Sequence, residues 1–140
     1  MQTETDPKQD STVLSLGSVK EAIYERNQLF VEAMAKGDAA GVANCYTTDA
    51  EFMAPGAPSA KGRAAIQKII ASYINQGITV YTVLSTTVYG NSGIVGVQEA
   101  YSLSQPGGGN KDVGKSIQLW KEEEGALRIF RDCFNSDLTP

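Results

Sequence analysis

Two regimes of apolar spacing divide the chain. Up to about residue 76 the hydrophobic side chains recur with the period of a helix, and beyond it they alternate with the period of a strand. Ser18 and Glu21 have the spacing of a capping box, in which each side chain satisfies an orphan amide, so they mark the expected start of a first helix. Ile23, Asn27, Phe30 and Met34 then fall on one stripe at i, i+4, i+7 and i+11. Gly37 supplies the stop, and Asp38 is placed to cap a shorter second helix running to about Cys45. "AEFMAPGAPSAKG" reads as a short extended piece broken by Pro55 and Pro58. A third helix is predicted from about Arg63 to Gln76, with Ile66, Ile69, Ile70, Tyr73 and Ile74 on its apolar side and Gly77 at its end.

After Gly77 the segments "ITVYTVLSTTVYG", "SGIVGVQEAYSL", "GKSIQLWKEEEG" and "ALRIFRDCFN" read as four successive strands. The connections are "YGNSG", the flexible "SQPGGGNKDVG" and the tight acidic turn "KEEEGA". Helices first and a strand meander afterwards predict an α+β fold, a cone-shaped half-barrel of three N-terminal helices on a curved antiparallel sheet. The space between helices and sheet is the natural seat for a ligand. Residues 1–16 are polar and aperiodic and are read as a disordered tail, leaving 17–140 as one domain.

Composition narrows the chemistry. A net charge of −4, with Lys and Arg scattered along the chain, argues against a nucleic-acid surface. No apolar run spans a membrane, and the N-terminus lacks a signal-peptide pattern, so a soluble cytoplasmic protein is expected. The chain has no histidine, which removes His-ligated metals, Ser-His-Asp and Cys-His catalysis, and the residue best suited to acid–base work near neutrality. Cys45 and Cys133 without a CxxC read as two small buried hydrophobes. "EEE" at 122–124 cannot converge on one ion from a tight turn, and "PGGGN" lacks the lysine and the helix of a phosphate loop. Neither a metal nor a cofactor is implied.

Between residues 37 and 66 the order Gly37-Asp38, Tyr46-x-x-Asp49-Ala50, Pro55-Gly56 and Gly62-Arg63-x-x-Ile66 resembles the SnoaL-like, ketosteroid-isomerase-like branch of the nuclear-transport-factor-two-like superfamily. The resemblance implies the same cone-shaped α+β fold. It also implies where catalytic groups would stand. The steroid isomerases' general base falls on Ala54, their tyrosine donor on Phe30, and their second donor in "KSIQLW", which holds no carboxylate. The resemblance therefore argues against ketosteroid isomerase activity. The polyketide-cyclase branch keeps a base on the last strand, and the matching position is Asp132, with Asn135, Gln118 and Asn27 as available amides. The Asp-Arg-Asp arrangement of epoxide hydrolases fits poorly, because neighbours Arg131 and Asp132 point to opposite faces.

Asp132 is thus the candidate base. If it faces the cavity, alternation brings Phe130 and Phe134 with it and turns Ile129, Arg131 and Cys133 away. Phe30, Met34 and Phe52 supply an apolar wall, with Ala54 beside it and Tyr73 and Trp120 completing it. Asn27 and Asn135 are the polar members of the expected lining. Glu99, alternating with Val97 and Tyr101, is read as facing outward or toward an interface. Val95, Val97 and Ile129 on a curved sheet call for a cover, which a homodimer through the sheet provides. Two functional readings stay open: a protein that binds a small apolar organic molecule in the cone, or an isomerase, cyclase or lyase with Asp132 as general base.

Overall fold

The computed structural model describes residues 16–138. Of the tail assigned to residues 1–16, residues 1–15 lie outside the described residues and Leu16 belongs to the first helix. The first helix, α1 (Leu16–Lys36), is already formed at Leu16, so Ser18 sits inside it and not at its cap. The capping-box spacing was misleading because Val19 belongs to the buried stripe with Ile23, extending the amphipathic pattern a turn earlier. Gly37 ends α1 with φ of 72°, a left-handed conformation that lets the chain turn at once into α2 (Ala39–Ala43). The Asp38 side chain caps α2 by accepting from the Gly41 amide at 2.9 Å.

The chain then forms β1 (Tyr46–Met53), the two-residue β2 (Ala60–Lys61) and α3 (Arg63–Asn75). The meander follows as β3 (Val80–Tyr89), β4 (Val95–Ser104), β5 (Asp112–Glu123) and β6 (Ala126–Ser136). The sheet order is β2-β1-β6-β5-β4-β3, and the helices pack against one face of it. The fold is the expected α+β architecture, a curved and unclosed sheet under three helices. One pairing differs in sense: β1 joins β6 in parallel, because the chain crosses through α3 and the whole meander between them.

One irregularity decides which residues reach the interior. Leu119 pairs with Arg131 but Trp120 pairs with Ile129, so Phe130 is an extra residue, a β-bulge in β6. The bulge changes the facing of everything before it. Ile129, expected to point outward, is buried in the core, and Phe130 lies on the outer face beneath the Lys121 ammonium and the Arg131 guanidinium. Past the bulge Asp132 and Phe134 point in, while Asn135 is exposed and so is Cys133, against the expectation that both cysteines are buried; only Cys45 is.

The core between helices and sheet holds Ile23, Met34, Val42, Ile66, Ile70, Val95, Val97 and Trp120. Val95, Val97 and Ile129 were expected to need an external cover, but they point into this core. The far end of the cone is tied by arginines: Arg63 donates to the Tyr46 carbonyl at 2.7 Å and pairs with Glu123, and Arg128 donates to the Asn44 and Glu123 carbonyls. Among the described residues no helix is long and apolar enough to cross a membrane.

Candidate ligand-binding site

A cavity of about 180 Å³ opens between the helices and the inner face of the sheet. Its wall is a closed circuit of six aromatic rings drawn from five elements. Phe30 of α1 meets Tyr81 of β3 at 4.8 Å between centroids, and Tyr81 stacks on Tyr101 of β4 at 5.9 Å. Tyr101 meets Phe134 of β6 edge-on at 6.0 Å, and Phe134 meets Phe52 of β1 at 5.1 Å. Phe52 continues to Tyr46 at 6.1 Å, and Tyr46 returns to Phe30 at 6.3 Å. All six line the cavity, and these separations are those at which tilted and edge-to-face aromatic pairs attract. Met34, Ile70 and Tyr73 close the side under the helices.

Asp132 sits on this wall, opposite Phe52 on β1 and Gln118 on β5. It is 5% exposed. Tyr46 donates its hydroxyl to Asp132 Oδ2 at 2.7 Å. Among the described residues no other side chain hydrogen-bonds this carboxylate and no cation pairs with it. Burial therefore pushes its pKa up to about 7, against the Tyr46 hydrogen bond that favours the charged form, with the nearby Glu99 charge raising it further. Such a group changes charge near neutrality without a histidine.

Beside it lies a second buried carboxylate. Glu99 is 2% exposed, correcting the expectation that it faces out. It accepts from Asn27 Nδ2 at 2.9 Å and from the Tyr81 hydroxyl at 3.0 Å, with Gln118 as a further donor. Burial raises its pKa, and those hydrogen bonds oppose the rise. Gln118 accepts from Trp120 Nε1 at 2.8 Å, which orients its amide between the two acids. At the other side of the cavity Asp112 accepts from Tyr101 at 3.2 Å and from Ser136 at 2.5 Å. Burial raises the pKa of Tyr46, Tyr73, Tyr81 and Tyr101, so all four remain neutral donors.

Of the residues singled out from the sequence, Asp132, Phe30, Met34, Phe52, Tyr73 and Phe134 lie on the cavity wall. Five lie elsewhere. Trp120 is wholly buried in the core, and Ala54 packs against that core without reaching the cavity. Asn27 stands behind the wall, holding Glu99 and bordering a groove between α1 and β3. Phe130 is turned out by the bulge, and Asn135 is exposed opposite Lys115. Missed altogether were Tyr46, Tyr81 and Tyr101, half of the aromatic circuit. A signal existed for Tyr101: it shares parity on β4 with Val95 and Val97, while the intervening Gly96, Gln98, Ala100 and Ser102 are the less apolar set.

The architecture matches solved structures. A nuclear-transport-factor-two-like protein with a cystatin-like fold from Novosphingobium aromaticivorans aligns with a TM-score of 0.74 at 18% identity, over 86% of this chain and 83% of its own. A candidate scytalone dehydratase from the same organism gives 0.75 at 13% identity, over 88% and 87%. A candidate dehydratase of the nuclear-transport-factor-two-like family from Streptomyces avermitilis gives 0.73 at 15%, over 89% and 100%. No curated protein matches the chain. At these identities the likeness establishes the fold and nothing of the chemistry. The SnoaL-like domain model matches residues 28–131, from the middle of α1 to the bulge of β6, and the chain belongs to the SnoaL-like family.

Proposed function

We propose that the protein binds a small, largely apolar organic molecule inside the aromatic circuit, with the polar group of that molecule set against Asp132. The observation that carries this is the Asp132 carboxylate, buried on a cavity wall with Tyr46 as its sole hydrogen-bond donor among the described residues. A structural carboxylate in a core is ordinarily ion-paired or fully hydrogen-bonded, whereas this one keeps an oxygen for a ligand. The Tyr73 hydroxyl has no hydrogen-bond partner among the described residues and lies on the same cavity. Together they offer an acceptor and a donor inside an apolar enclosure, the pattern of a small-molecule site.

A second reading is favoured by a specific observation. A carboxylate titrating near 7 is matched to general-base work at neutral pH. In an isomerase, cyclase or lyase reaction, Asp132 accepts a proton from a carbon made acidic by a neighbouring carbonyl, and neutral tyrosine hydroxyls stabilise the oxygen that gains charge. The description of two similar structures as candidate dehydratases falls within that lyase class. Steroid isomerisation stays disfavoured, since Phe30 brings no hydroxyl to the cavity and Ala54 does not reach it.

The binding reading is tested by thermal-shift screening of a small-molecule collection, followed by Asp132→Asn on every hit. Shifts that shrink in the variant support it, and a screen in which every hit binds both proteins equally and none is turned over contradicts it. Turnover lost while binding persists assigns the base. The outer sheet face carries Ile117 and Leu119, 56% and 37% exposed, and it is the proposed surface for a homodimer.

A further inference from the structure

We propose that the ligand class of this cavity is organic amines bound as cations, with Asp132 as the counter-ion and the aromatic circuit as the cage. The inference rests on the cavity reading above and is independent of any base role. Its first support is the charge inventory. Among the described residues the ionisable groups on the wall other than tyrosines are Asp132 and Asp112, with Glu99 directly behind Tyr81, and no lysine or arginine lines the cavity. The cations nearest Asp132 are committed elsewhere, and Lys111, between the wall residues Asn110 and Asp112, is exposed. Arg131 pairs with Glu51 on the outer face, Lys121 lies over Phe130, and Arg128 and Arg63 bond backbone carbonyls at the far end.

An anionic ligand would therefore meet two carboxylates on the wall, with a third behind Tyr81 and no cation on the wall among the described residues. A neutral ligand would leave Asp132 to bind a proton in order to remain buried. A cation removes both difficulties, because it brings to Asp132 the partner that the fold withholds. The second support is the circuit itself. Aromatic faces carry negative quadrupole charge, and ammonium groups are held in enclosures built from several rings. Here six rings close on one another around the carboxylate, and Asp132 is 5% exposed with an oxygen unpartnered among the described residues. Size limits the class further. A dry cavity of roughly 150 Å³ holds benzene, so about 180 Å³ suits an amine on one ring or a short branched chain.

Three probes with one skeleton and three charges test this: phenethylamine, 2-phenylethanol and phenylacetate, titrated calorimetrically into the full chain at about pH 8, where the amine is protonated and Asp132 is ionised. The amine is expected to bind at least about tenfold tighter than the alcohol, and phenylacetate not at all. Asp132→Asn is expected to cut amine affinity by at least about tenfold and to leave the alcohol within about twofold. The wild-type series stands even if that variant fails to fold. Alcohol binding as tight as the amine, or any phenylacetate binding, overturns the amine inference while sparing the cavity reading. Failure of all three probes to bind overturns both.

Discussion

Replacing Asp132 by Asn should stabilise the protein, by an amount that grows as pH rises from about 4 to 7 and is constant above it. Asp132 titrates at about 7 in the fold and at 3.8 as a free side chain, so between those values the native state holds a proton that the unfolded chain has released. Stability attributable to this group is fully present below pH 4 and is lost progressively from there until pH has risen through 7. At about 1.4 kcal/mol per pH unit, the loss is on the order of 4 kcal/mol by pH 8. Asn keeps the shape and the acceptor for Tyr46 without the charge, so the variant escapes that loss. For a chain of this size the difference corresponds to a melting temperature higher than wild type by about 10 °C at pH 8, shrinking toward zero at pH 4. Glu99, also displaced upward by burial, contributes to the pH dependence in the same direction in both proteins, and its repulsion of the Asp132 charge is absent from the variant, which works in the variant's favour at high pH. Thermal unfolding of both proteins across pH 4–8 measures this directly. A variant less stable than wild type at pH 8, or one offset by the same amount at every pH, would refute the placement of a buried, cation-free carboxylate.

Further outcomes follow from the same geometry. Tyr46→Phe removes the hydrogen bond that holds the Asp132 midpoint down, so the midpoint should rise above 7 in a carboxyl titration. Gly114→Ala puts a methyl against the Asn135 carbonyl and 2.5 Å from the Tyr101 hydroxyl; it should cost about 1–3 kcal/mol in denaturant unfolding and weaken any ligand that the circuit holds. Ile117→Glu, in the middle of the outer sheet face, should leave the circular dichroism spectrum unchanged and, if the chain pairs there, shift light-scattering mass from two copies to one. Unchanged dimer mass in that variant would place the interface elsewhere.

The element order was legible because each segment's period, breaker and cap agree: the stripe of α1 with Gly37, Asp38 ahead of α2, Gly77 after α3, and the switch to alternation in the meander. Asp132 was legible as a candidate because past the bulge β6 alternates as a plain strand would. Phe130 and Ile129 were not, since a bulge depends on how β5 opposes β6, and nothing within "RIFRD" reveals the extra residue. The same limit hid Glu99. Parity groups it with Val95, Val97 and Tyr101, but a lone carboxylate on a strand is ordinarily a surface group, and the amide and hydroxyl that receive it lie 72 and 18 residues away in sequence. Tyr46 was read only as part of a fold marker. Its role as the donor to Asp132 spans 86 residues and exists only because β1 crosses to lie parallel beside β6.

The most direct test of the site is a carbon-13 titration of the Asp132 carboxyl, in the free protein and in protein saturated with a ligand from the screen. The midpoint should lie near 7 in the free protein and should move by at least about one pH unit on saturation, because the ligand occupies the oxygen that Tyr46 leaves open. A free midpoint near 4, or one that a bound ligand leaves where it was, would contradict the assignment of Asp132 as the group this cavity is built around.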